Sequence, residues 1–434
     1  LRANVIYPTD PQTGKEAAGP FPVLLTQTPY GKGSGGSSSP GSASTPGGSG
    51  ATGGADNYLV QRGYIEVVAD VRGTGDSEGS WGVFDPVQTT DGITLVHWAA
   101  QLAHSSGKVG TYGPSYLGIN QVLLAGAIGK NSPLQAIFPV VAANDIYRDT
   151  SFMGGILDNE FDTAYLGLTG ALNTANPVAD AAGSPPQSPT AAGELANVEA
   201  QHAAGLASYH AAFTAETESG GPTAYEGAYY QARNPSSVLP NVVANGIPAY
   251  LVGGEFDIFQ RGEPMNYAAL QNLSAGRPAT APMVPGQKTT GRYQLIDGPW
   301  EHLNGSSVDV DPLELEWFDT WLKGQNTGMA AAPTPLHYYD LGTGTFKETT
   351  TYPFTGASPT RLYLGAGTLS TTPPKTPATD PLVWTGAGSP CGRPVDQWSM
   401  GGISIAAEAL GLPAVCASDD RSTQTPPTSS SYTT

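Results

Sequence analysis

A serine in a glycine-flanked turn is the residue best suited to do chemistry in this 434-residue chain. The motif Gly-Pro-Ser-Tyr-Leu-Gly at 113–118 follows a β-like run at 109–112 and opens an apolar, helix-like run at 119–127. This order is the context of a nucleophile elbow, in which a serine hydroxyl projects from the end of a parallel sheet beside a helix N-terminus. The pattern predicts that Ser115 is a nucleophile for acyl transfer, although Leu117 stands where the commonest elbow has glycine.

A literal Gly-x-Ser-x-Gly sequence lies elsewhere, at 75–79, with Ser77 at its centre. It leads into Ser-Trp-Gly rather than into a helix-like run. Asp76 and Glu78 flank the serine, and their charges would oppose formation of an alkoxide. We therefore interpret Ser77 as part of a polar turn.

A general base for the serine should lie late in the chain. In folds with a nucleophile elbow, the catalytic residues follow one another along the chain in the order serine, acid, histidine. His302 follows the β-like run at 292–296, and a loop after a late core strand opens at the edge of the sheet where the site lies. The other histidines are interpreted as structural or exposed: His97, His104, His202, His210 and His337.

The acid should follow the preceding strand. Asp257 does so, after the run at 247–253, and it would fix the tautomer of His302 and stabilise the imidazolium. Glu255, closer to the strand, and Asp297, closer in sequence to the histidine, are the alternatives.

An oxyanion hole needs the backbone N–H that follows the nucleophile and a donor from the loop after an early strand. The N–H belongs to Tyr116, and the loop at 27–32 offers the phenolic hydroxyl of Tyr30. The alternative role for Tyr30 is an aromatic wall of the site.

The elements that must position these residues predict an α/β fold with an insertion. Strand and helix patterns alternate over 1–144, disappear in the Ala- and Tyr-rich segment 145–245, and resume over 246–334. We expect a catalytic core interrupted by a helical cap. From 335 to 434 short strands and Pro/Thr/Gly-rich turns predict a β-sandwich. We expect the chain to be trimmed at both ends, and the Gly/Ser-rich tract 31–54 to be a surface loop.

The composition excludes several classes of protein. Charged residues are 13% and hydrophobic ones 39%, with 56 Gly and 38 Pro, which is typical of a loop-rich globular enzyme. The net charge of −18 argues against nucleic-acid binding, which needs a basic surface. No run approaches the roughly 20 apolar residues of a membrane span.

The two cysteines, Cys391 and Cys416, lie near the C-terminus. In a chain with few lysines and many Ser, Thr and Gly residues, such a pair suggests one disulfide and a secreted protein. Two free thiols in a cytosolic protein are the alternative. Two cysteines without clustered histidines do not make a zinc site.

Five ordered motifs resemble those of the X-prolyl dipeptidyl peptidase-like, or cocaine esterase-like (CocE/NonD), serine hydrolases; they lie at 27–32, 70–79, 113–118, 298–302 and 362–365. The resemblance implies an α/β-hydrolase core, a helical cap inserted after the sixth strand and a C-terminal jelly-roll. It also implies a catalytic triad of Ser115, Asp257 and His302, with the Tyr30 hydroxyl and the Tyr116 N–H as oxyanion hole. No metal or organic cofactor is implied.

Hydrolysis of acyl esters is the leading function, ahead of X-prolyl dipeptide release and amide acylase activity, with a small ester or a short peptide as substrate. Glu255 stands where the family often has Trp, and we expect Glu255 and Trp300 to contact substrate. One hypothesis is that Glu255 selects substrates with a free amine; its alternative is a carboxylate paired elsewhere on the loop. A non-catalytic surface or glycan-binding protein is the remote alternative.

Overall fold

The computed structural model describes residues 1–32, 54–183, 188–302, 310–354, 358–379 and 432. They belong to two compact units, Leu1–Tyr352 and Pro353–Thr434. The strands are β1 (Ala3–Ile6), β2 (Phe21–Thr28), β3 (Ile65–Asp70), β4 (Ser105–Pro114), β5 (Leu134–Val140), β6 (Phe152–Met153), β7 (Ile156–Leu157), β8 (Ala249–Gly254), β9 (Tyr293–Gly298), β10 (Leu336–Asp340), β11 (Thr345–Thr349), β12 (Tyr363–Leu364) and β13 (Leu369–Ser370). The α-helices are α1 (Asn57–Val60), α2 (Pro86–Ala99), α3 (Tyr116–Ala127), α4 (Asn159–Gly183), α5 (Pro189–Gly205), α6 (Ala211–Glu218), α7 (Ala228–Gln231), α8 (Pro235–Asn245), α9 (Gly262–Ser274) and α10 (Asp311–Trp321).

Nine strands of the first unit form one sheet, in the order β1-β3-β2-β4-β5-β8-β9-β10-β11. The inner strands run parallel, and the edge strands β1 and β11 are antiparallel to their neighbours. Helices α3, α9 and α10 pack on these strands. Strands β2, β3 and β5 are therefore nearly continuous buried runs, as in other parallel sheets covered by helices. This mainly parallel sheet with helices packed on it agrees with the predicted α/β fold of the core.

Helix α10 anchors the hydrophobic core with two aromatic side chains. Trp317 and Phe318 are fully buried, and the indole N–H of Trp317 donates to the Ile137 carbonyl at 3.1 Å. A Cβ at Gly110 would lie 2.7 Å from the Phe318 ring, so any residue larger than glycine would clash with the ring at this strand position. Truncating such a ring costs about 3–5 kcal/mol. The core therefore fixes α10 against the strands that lead to the site.

The segment between β5 and β8 is mainly helical, with α4 to α8 following the short hairpin of β6 and β7. Helix α4 continues through Pro177. None of the helices in the described part of the chain combines the length and the apolar composition needed to cross a bilayer.

Strands β10 and β11 extend the main sheet past position 335, where the sequence predicts the start of the C-terminal β domain. Strand β10 pairs in parallel with β9, with Leu336 opposite Leu295, and Leu336 is buried. Pairing there satisfies backbone groups that β9 would otherwise expose. The first unit consequently ends at Tyr352.

The second unit has one described hairpin, formed by β12 and β13. The predicted jelly-roll at 335–434 stays a prediction for most of its length. Cys391, Cys416 and most of the tract 31–54 lie outside the described residues.

Candidate active site

Ser115 lies at the junction of β4 and α3, where the backbone turns sharply. Its φ and ψ are 58° and −123°, and such a conformation costs on the order of 1–3 kcal/mol for a residue with a side chain. Two hydrogen bonds of 2.9 Å hold it: the Ser115 N–H donates to Val140, and the Ser115 carbonyl accepts from Ile119. The turn has the geometry of a nucleophile elbow, with the serine immediately before the first residue of a helix.

Close packing around the turn explains its glycines. Gly113 has a φ of 127°, and a Cβ there would lie 2.9 Å from Cδ2 of Leu117. A Cβ on Gly118 would lie 2.8 Å from the Val140 carbonyl oxygen. The buried Leu117 thus lies against the bare Gly113 backbone, and the close approach of α3 to β5 falls at Gly118, one residue later than in the commonest elbow.

Three side chains from separate elements form a chain of hydrogen bonds. His302 Nε2 lies 2.7 Å from Ser115 Oγ, and His302 Nδ1 lies 2.6 Å from Asp257 Oδ2. When the imidazole is neutral, the serine hydroxyl donates to Nε2 and the Nδ1–H donates to the carboxylate. A nucleophile in contact with a base, and a base oriented by an acid, is the arrangement that activates a hydroxyl for attack on a carbonyl.

Hydrogen bonds and packing hold the Asp257 side chain in place. The side chain is 1% exposed, and its Oδ1 accepts a hydrogen bond from the Phe259 N–H. The Phe259 ring packs edge-on against the imidazole, with centroids 4.9 Å apart. Both carboxylate oxygens therefore accept hydrogen bonds, which fix the orientation of the carboxylate toward the imidazole. The structure pairs His302 with Asp257 rather than with the alternatives Glu255 and Asp297.

Tyr30 follows β2, and its hydroxyl reaches the nucleophile. The hydroxyl is hydrogen-bonded to the Ser115 side chain and lies 3.5 Å from the Tyr165 hydroxyl. Burial raises the pKa of Tyr30 above its ordinary value, and the hydrogen bonds with Tyr165 and Ser115 offset only part of that rise. The phenol therefore keeps its proton at neutral pH and can donate a hydrogen bond to an oxyanion.

The loop that carries Tyr30 is held from two sides. Asn176 of α4 donates from Nδ2 to the Tyr30 carbonyl at 2.7 Å. The Lys32 N–H donates to Asp70 Oδ1 at 2.6 Å, and the Lys32 ammonium pairs with Asp70 and Asp76. Because Asp70 is completely buried at the end of β3, it anchors the loop to the sheet.

The side chain of Tyr116 is locked in a buried polar network. Its hydroxyl donates to Gln88 at 2.6 Å and accepts from the Trp81 indole at 3.2 Å and the Phe84 N–H at 3.1 Å. Its ring stacks on Phe84, with centroids 4.2 Å apart. As the first residue of α3, Tyr116 has a main-chain N–H without a carbonyl acceptor inside the helix. This N–H follows the nucleophile directly, where the second oxyanion donor is expected.

Ser77 occupies a structural turn. It is completely buried, and its hydroxyl donates to the Asp70 carbonyl at 2.8 Å and accepts from the Arg2 N–H at 2.9 Å. The literal Gly-x-Ser-x-Gly sequence thus forms a turn that is hydrogen-bonded to the end of β3, which agrees with the interpretation of Ser77 as part of a polar turn.

Glu255 and Asp297 form an acidic pair behind the triad. The Glu255 N–H donates to the Gly298 carbonyl at 2.8 Å, and its side chain is half-buried. Burial, followed by the charges of Glu255 and Asp257, raises the pKa of Asp297 to about 7. The contact of Glu255 with substrate stays a prediction.

Trp300 packs in the core, and its expected contact with substrate stays a prediction. The residue is 2% exposed and packs in the hydrophobic cluster that includes Trp317. A Cβ at Gly298 would lie 1.8 Å from the Trp300 ring, and one at Gly254 would lie 2.6 Å from its carbonyl oxygen. The indole therefore fills the space above two glycines at the strand ends, and Trp300 positions the loops that carry the acid and the base.

Sequence reasoning missed the residues that support the site. Tyr165 and Asn176 lie in the inserted segment, where no motif marked them, and they meet Tyr30 only in the folded chain. Phe259 could have been suspected, because it stands two residues after the acid.

Comparison with known proteins gives a family match. The model of the family described as X-Pro dipeptidyl-peptidase (S15 family) matches residues 1–304. Cocaine esterase from Rhodococcus sp. (strain MB1 Bresler) is 25% identical over 407 residues, which cover 85% of this chain and 63% of that protein.

Solved structures show the same fold. A CocE/NonD family hydrolase from Staphylococcus aureus matches with a TM-score of 0.55 and 20% identity, covering 85% of this chain and 57% of that one. An α-amino acid ester hydrolase matches with a TM-score of 0.55 and 21% identity, covering 86% and 63%. At these identities the likeness shows the fold alone. The chain spans less than two thirds of the length of each of these three relatives.

Proposed function

This chain belongs to the X-Pro dipeptidyl-peptidase (S15) family, and we propose that it is a serine hydrolase that cleaves small carboxylic esters through an acyl-enzyme. The observation that carries the proposal is the hydrogen-bonded chain from Ser115 through His302 to Asp257, with contacts of 2.7 and 2.6 Å. The likeness to a cocaine esterase supports an ester as the substrate.

In the first half of the proposed reaction, Ser115 Oγ attacks the carbonyl carbon and its proton passes to His302 Nε2. The carbonyl π electrons move to the oxygen, which accepts hydrogen bonds from the Tyr30 hydroxyl and the Tyr116 N–H. Asp257 stabilises the imidazolium through Nδ1–H. When the tetrahedral intermediate collapses, the bond to the alcohol breaks, and His302 gives its proton to the departing oxygen.

In the second half, a water molecule replaces the alcohol. His302 takes a proton from the water as its oxygen attacks the acyl carbon, and the same two donors hold the oxyanion. Collapse breaks the bond to Ser115 Oγ, which recovers the proton from His302 and releases the carboxylic acid. The enzyme returns to its starting state without a cofactor in either half.

Hydrolysis of an amide, as an X-prolyl dipeptidyl peptidase or an acylase, is the second candidate. The description of the family and the half-buried carboxylate of Glu255 favour it. A peptidase of this kind must recognise a free N-terminal amine, and a carboxylate beside the site could accept that amine.

Side-by-side kinetics on p-nitrophenyl butyrate and Gly-Pro-p-nitroanilide distinguish the two candidates. We expect turnover of the ester, and its loss in Ser115→Ala. Turnover of the anilide would move the assignment to a dipeptidyl peptidase. Activity that survives in Ser115→Ala would mean that the nucleophile is misassigned.

Labelling by a fluorophosphonate separates an enzyme from a non-catalytic binding protein. We expect one adduct per chain on Ser115 in the wild type and none in Ser115→Ala. Ser77→Ala is the matched control, because Ser77 is buried and bonded to the backbone. It should still be labelled on Ser115, and a folded wild-type protein without an adduct would support the binding protein.

We also propose that the protein works outside the cytosol, with Cys391 and Cys416 joined in a disulfide. The support is compositional, from the placement of the two cysteines and the scarcity of lysine. Alkylation of the intact protein with and without reductant, followed by mass spectrometry, tests the pairing. Two alkylated thiols without reductant would contradict it.

A further inference from the structure

Four acidic side chains are buried together away from the triad. Asp56 precedes α1, Glu66 lies on β3, and Asp311 and Glu314 lie in the first turn of α10. Their exposed fractions are 6%, 0%, 8% and 0%. Asp56, Asp311 and Glu314 each bring one carboxylate oxygen to a place where all three oxygens lie within 4.8 Å of one another. Such crowding of like charges is costly without a positive partner.

The carboxyl of Glu66 packs against Asp56 in this cluster. Its Oε2 accepts from the Asp56 N–H at 2.5 Å and from the Tyr112 hydroxyl at 2.9 Å, so the carboxyl lies against the group. Its Oε1 is buried and has no hydrogen-bond partner among the described residues. Within the same described part of the chain, Asp56 Oδ2 also has none, whereas its Oδ1 accepts from the Tyr58 N–H. Two hydrogen-bonded neighbours, Asp56 and Glu66, therefore each have one buried oxygen without a donor in the described part of the chain.

Positive groups also act on this cluster. The helix dipole of α10 favours acids in its first turn, which suits Asp311 and Glu314 but not Asp56 and Glu66. The charge of Arg62 reaches Asp56, but its guanidinium lies over the Tyr58 ring, 3.3 Å from the centroid, and donates to the Tyr58 carbonyl.

We propose that Asp56, Asp311 and Glu314 bind a divalent cation, with Ca²⁺ the best match and Glu66 Oε1 available as a further ligand. The donors are all oxygens, which Ca²⁺ and Mg²⁺ prefer. Calcium–oxygen distances of about 2.3–2.6 Å allow ligand oxygens to lie up to about 4.6–5.2 Å apart. The three oxygens, all within 4.8 Å of one another, meet this limit. Mg²⁺ demands a tighter octahedron, with opposite ligands about 4.0–4.2 Å apart, and retains more water.

The proposed ion would be structural. It would tie the first turn of α10 to the segment that enters α1 and, through Glu66, to β3. Helices α1 and α10 are about 250 residues apart in sequence and contact each other in the fold. An ion that binds only the folded chain stabilises it in proportion to the logarithm of the ion concentration.

The test measures calcium binding by the whole chain after removal of metals with EDTA. We expect isothermal titration with CaCl2 to show one saturable site per chain. We also expect 1 mM CaCl2 to raise the melting temperature by about 5 °C or more, and MgCl2 to raise it less. Glu314→Gln and Asp311→Asn should lose both responses. Asp297→Asn, which removes a buried acid elsewhere in the same unit, should keep them.

A second measurement on the wild type remains decisive if the variants fail to fold. Tyr112 contacts Glu66, so Tb³⁺ bound at the cluster should show luminescence sensitised by tyrosine, and Ca²⁺ should displace it. A folded wild-type protein without saturable Ca²⁺ binding or sensitised Tb³⁺ emission would overturn the proposal, and the cluster would then be a set of carboxyls that share protons. Calcium responses that persist in folded Glu314→Gln and Asp311→Asn would also overturn it.

Discussion

The loop after β8 and the end of β9 each bury an aspartate, Asp257 and Asp297, and the two carboxyls have different hydrogen-bond partners. Asp257 has a donor on each oxygen, from His302 and from the Phe259 N–H. Asp297 has an Oδ1 that is buried without a hydrogen-bond partner among the described residues. Burial and the charges of Glu255 and Asp257 raise its pKa to about 7. The hydrogen bonds of each carboxyl, and not its burial alone, therefore distinguish the acid that orients the base from the acid that does not.

The strongest test of this difference is to replace each aspartate by asparagine. Asp257→Asn removes the charge that stabilises the imidazolium and favours the wrong tautomer of His302. We expect kcat to fall on the order of 10⁴-fold. Asp297→Asn should lower kcat by less than about tenfold, because Asp297 does not contact the base. Initial rates on p-nitrophenyl butyrate measure both.

Circular dichroism and thermal melting of the two variants serve as the control for folding. Equal losses of activity in two folded variants would contradict the distinction between the aspartates. Retention of activity in Asp257→Asn would remove Asp257 from the triad.

Tyr30 extends the comparison from an acid to a hydrogen-bond donor. Tyr30→Phe removes a hydroxyl that the proposed oxyanion would accept from, and we expect kcat to fall about 10²–10³-fold with little change in KM. Tyr165→Phe is the matched control, since its hydroxyl touches that of Tyr30 and is not assigned to the oxyanion. A larger loss in Tyr165→Phe than in Tyr30→Phe would mean that Tyr30 is only a wall of the site.

Ionisation of Asp297 should change the free energy of unfolding rather than the activity. Its pKa is about 7 in the folded chain, whereas an unfolded aspartate titrates near about 3.9. The folded protein holds the proton more tightly, so the contribution of Asp297 to stability is full below about pH 4 and is lost as the pH rises to about 7. Asparagine does not ionise. We therefore expect Asp297→Asn to gain stability over the wild type between pH 4 and 7, by at most about 4 kcal/mol.

Urea unfolding of both proteins at pH 5 and pH 8 measures this gain. Glu78→Gln, at an exposed carboxyl, is the control and should follow the wild type at both values. A difference between Asp297→Asn and the wild type that does not grow with pH would show that Asp297 is ionised at both values.

The triad could be read from the sequence because each member follows a strand of recognisable pattern. Ser115, Asp257 and His302 come after separate β-like runs, and parallel strands bring their carboxyl ends to one edge of a sheet. The anchors of Tyr30 could not be read in this way. Asn176 lies nearly 150 residues away, in a helix whose pattern says nothing about what its polar side chains meet.

The acidic cluster and Trp300 show the same limit from two directions. Asp56, Glu66, Asp311 and Glu314 have no common motif, so no metal site was expected from the sequence, and only the packing of α10 beside α1 gathers them. Trp300 stands beside the base in sequence, but two glycines leave room for its ring in the core. The residue pattern shows the glycines, but it does not show which side chain packs against them in the folded chain.

The smallest expected effect concerns Glu255, the neighbour whose charge adds to the cost of ionising Asp297. If its carboxylate accepts a substrate amine, the wild type should favour glycine p-nitrophenyl ester over p-nitrophenyl acetate in kcat/KM. Glu255→Gln should reduce that preference by about fivefold, the value of a partly exposed ion pair. Asp297→Asn removes a nearby acid from a different element and should keep the preference. Equal changes in both variants would assign the effect to the overall negative charge, and an unchanged ratio in Glu255→Gln would leave this carboxylate no part in selecting the substrate.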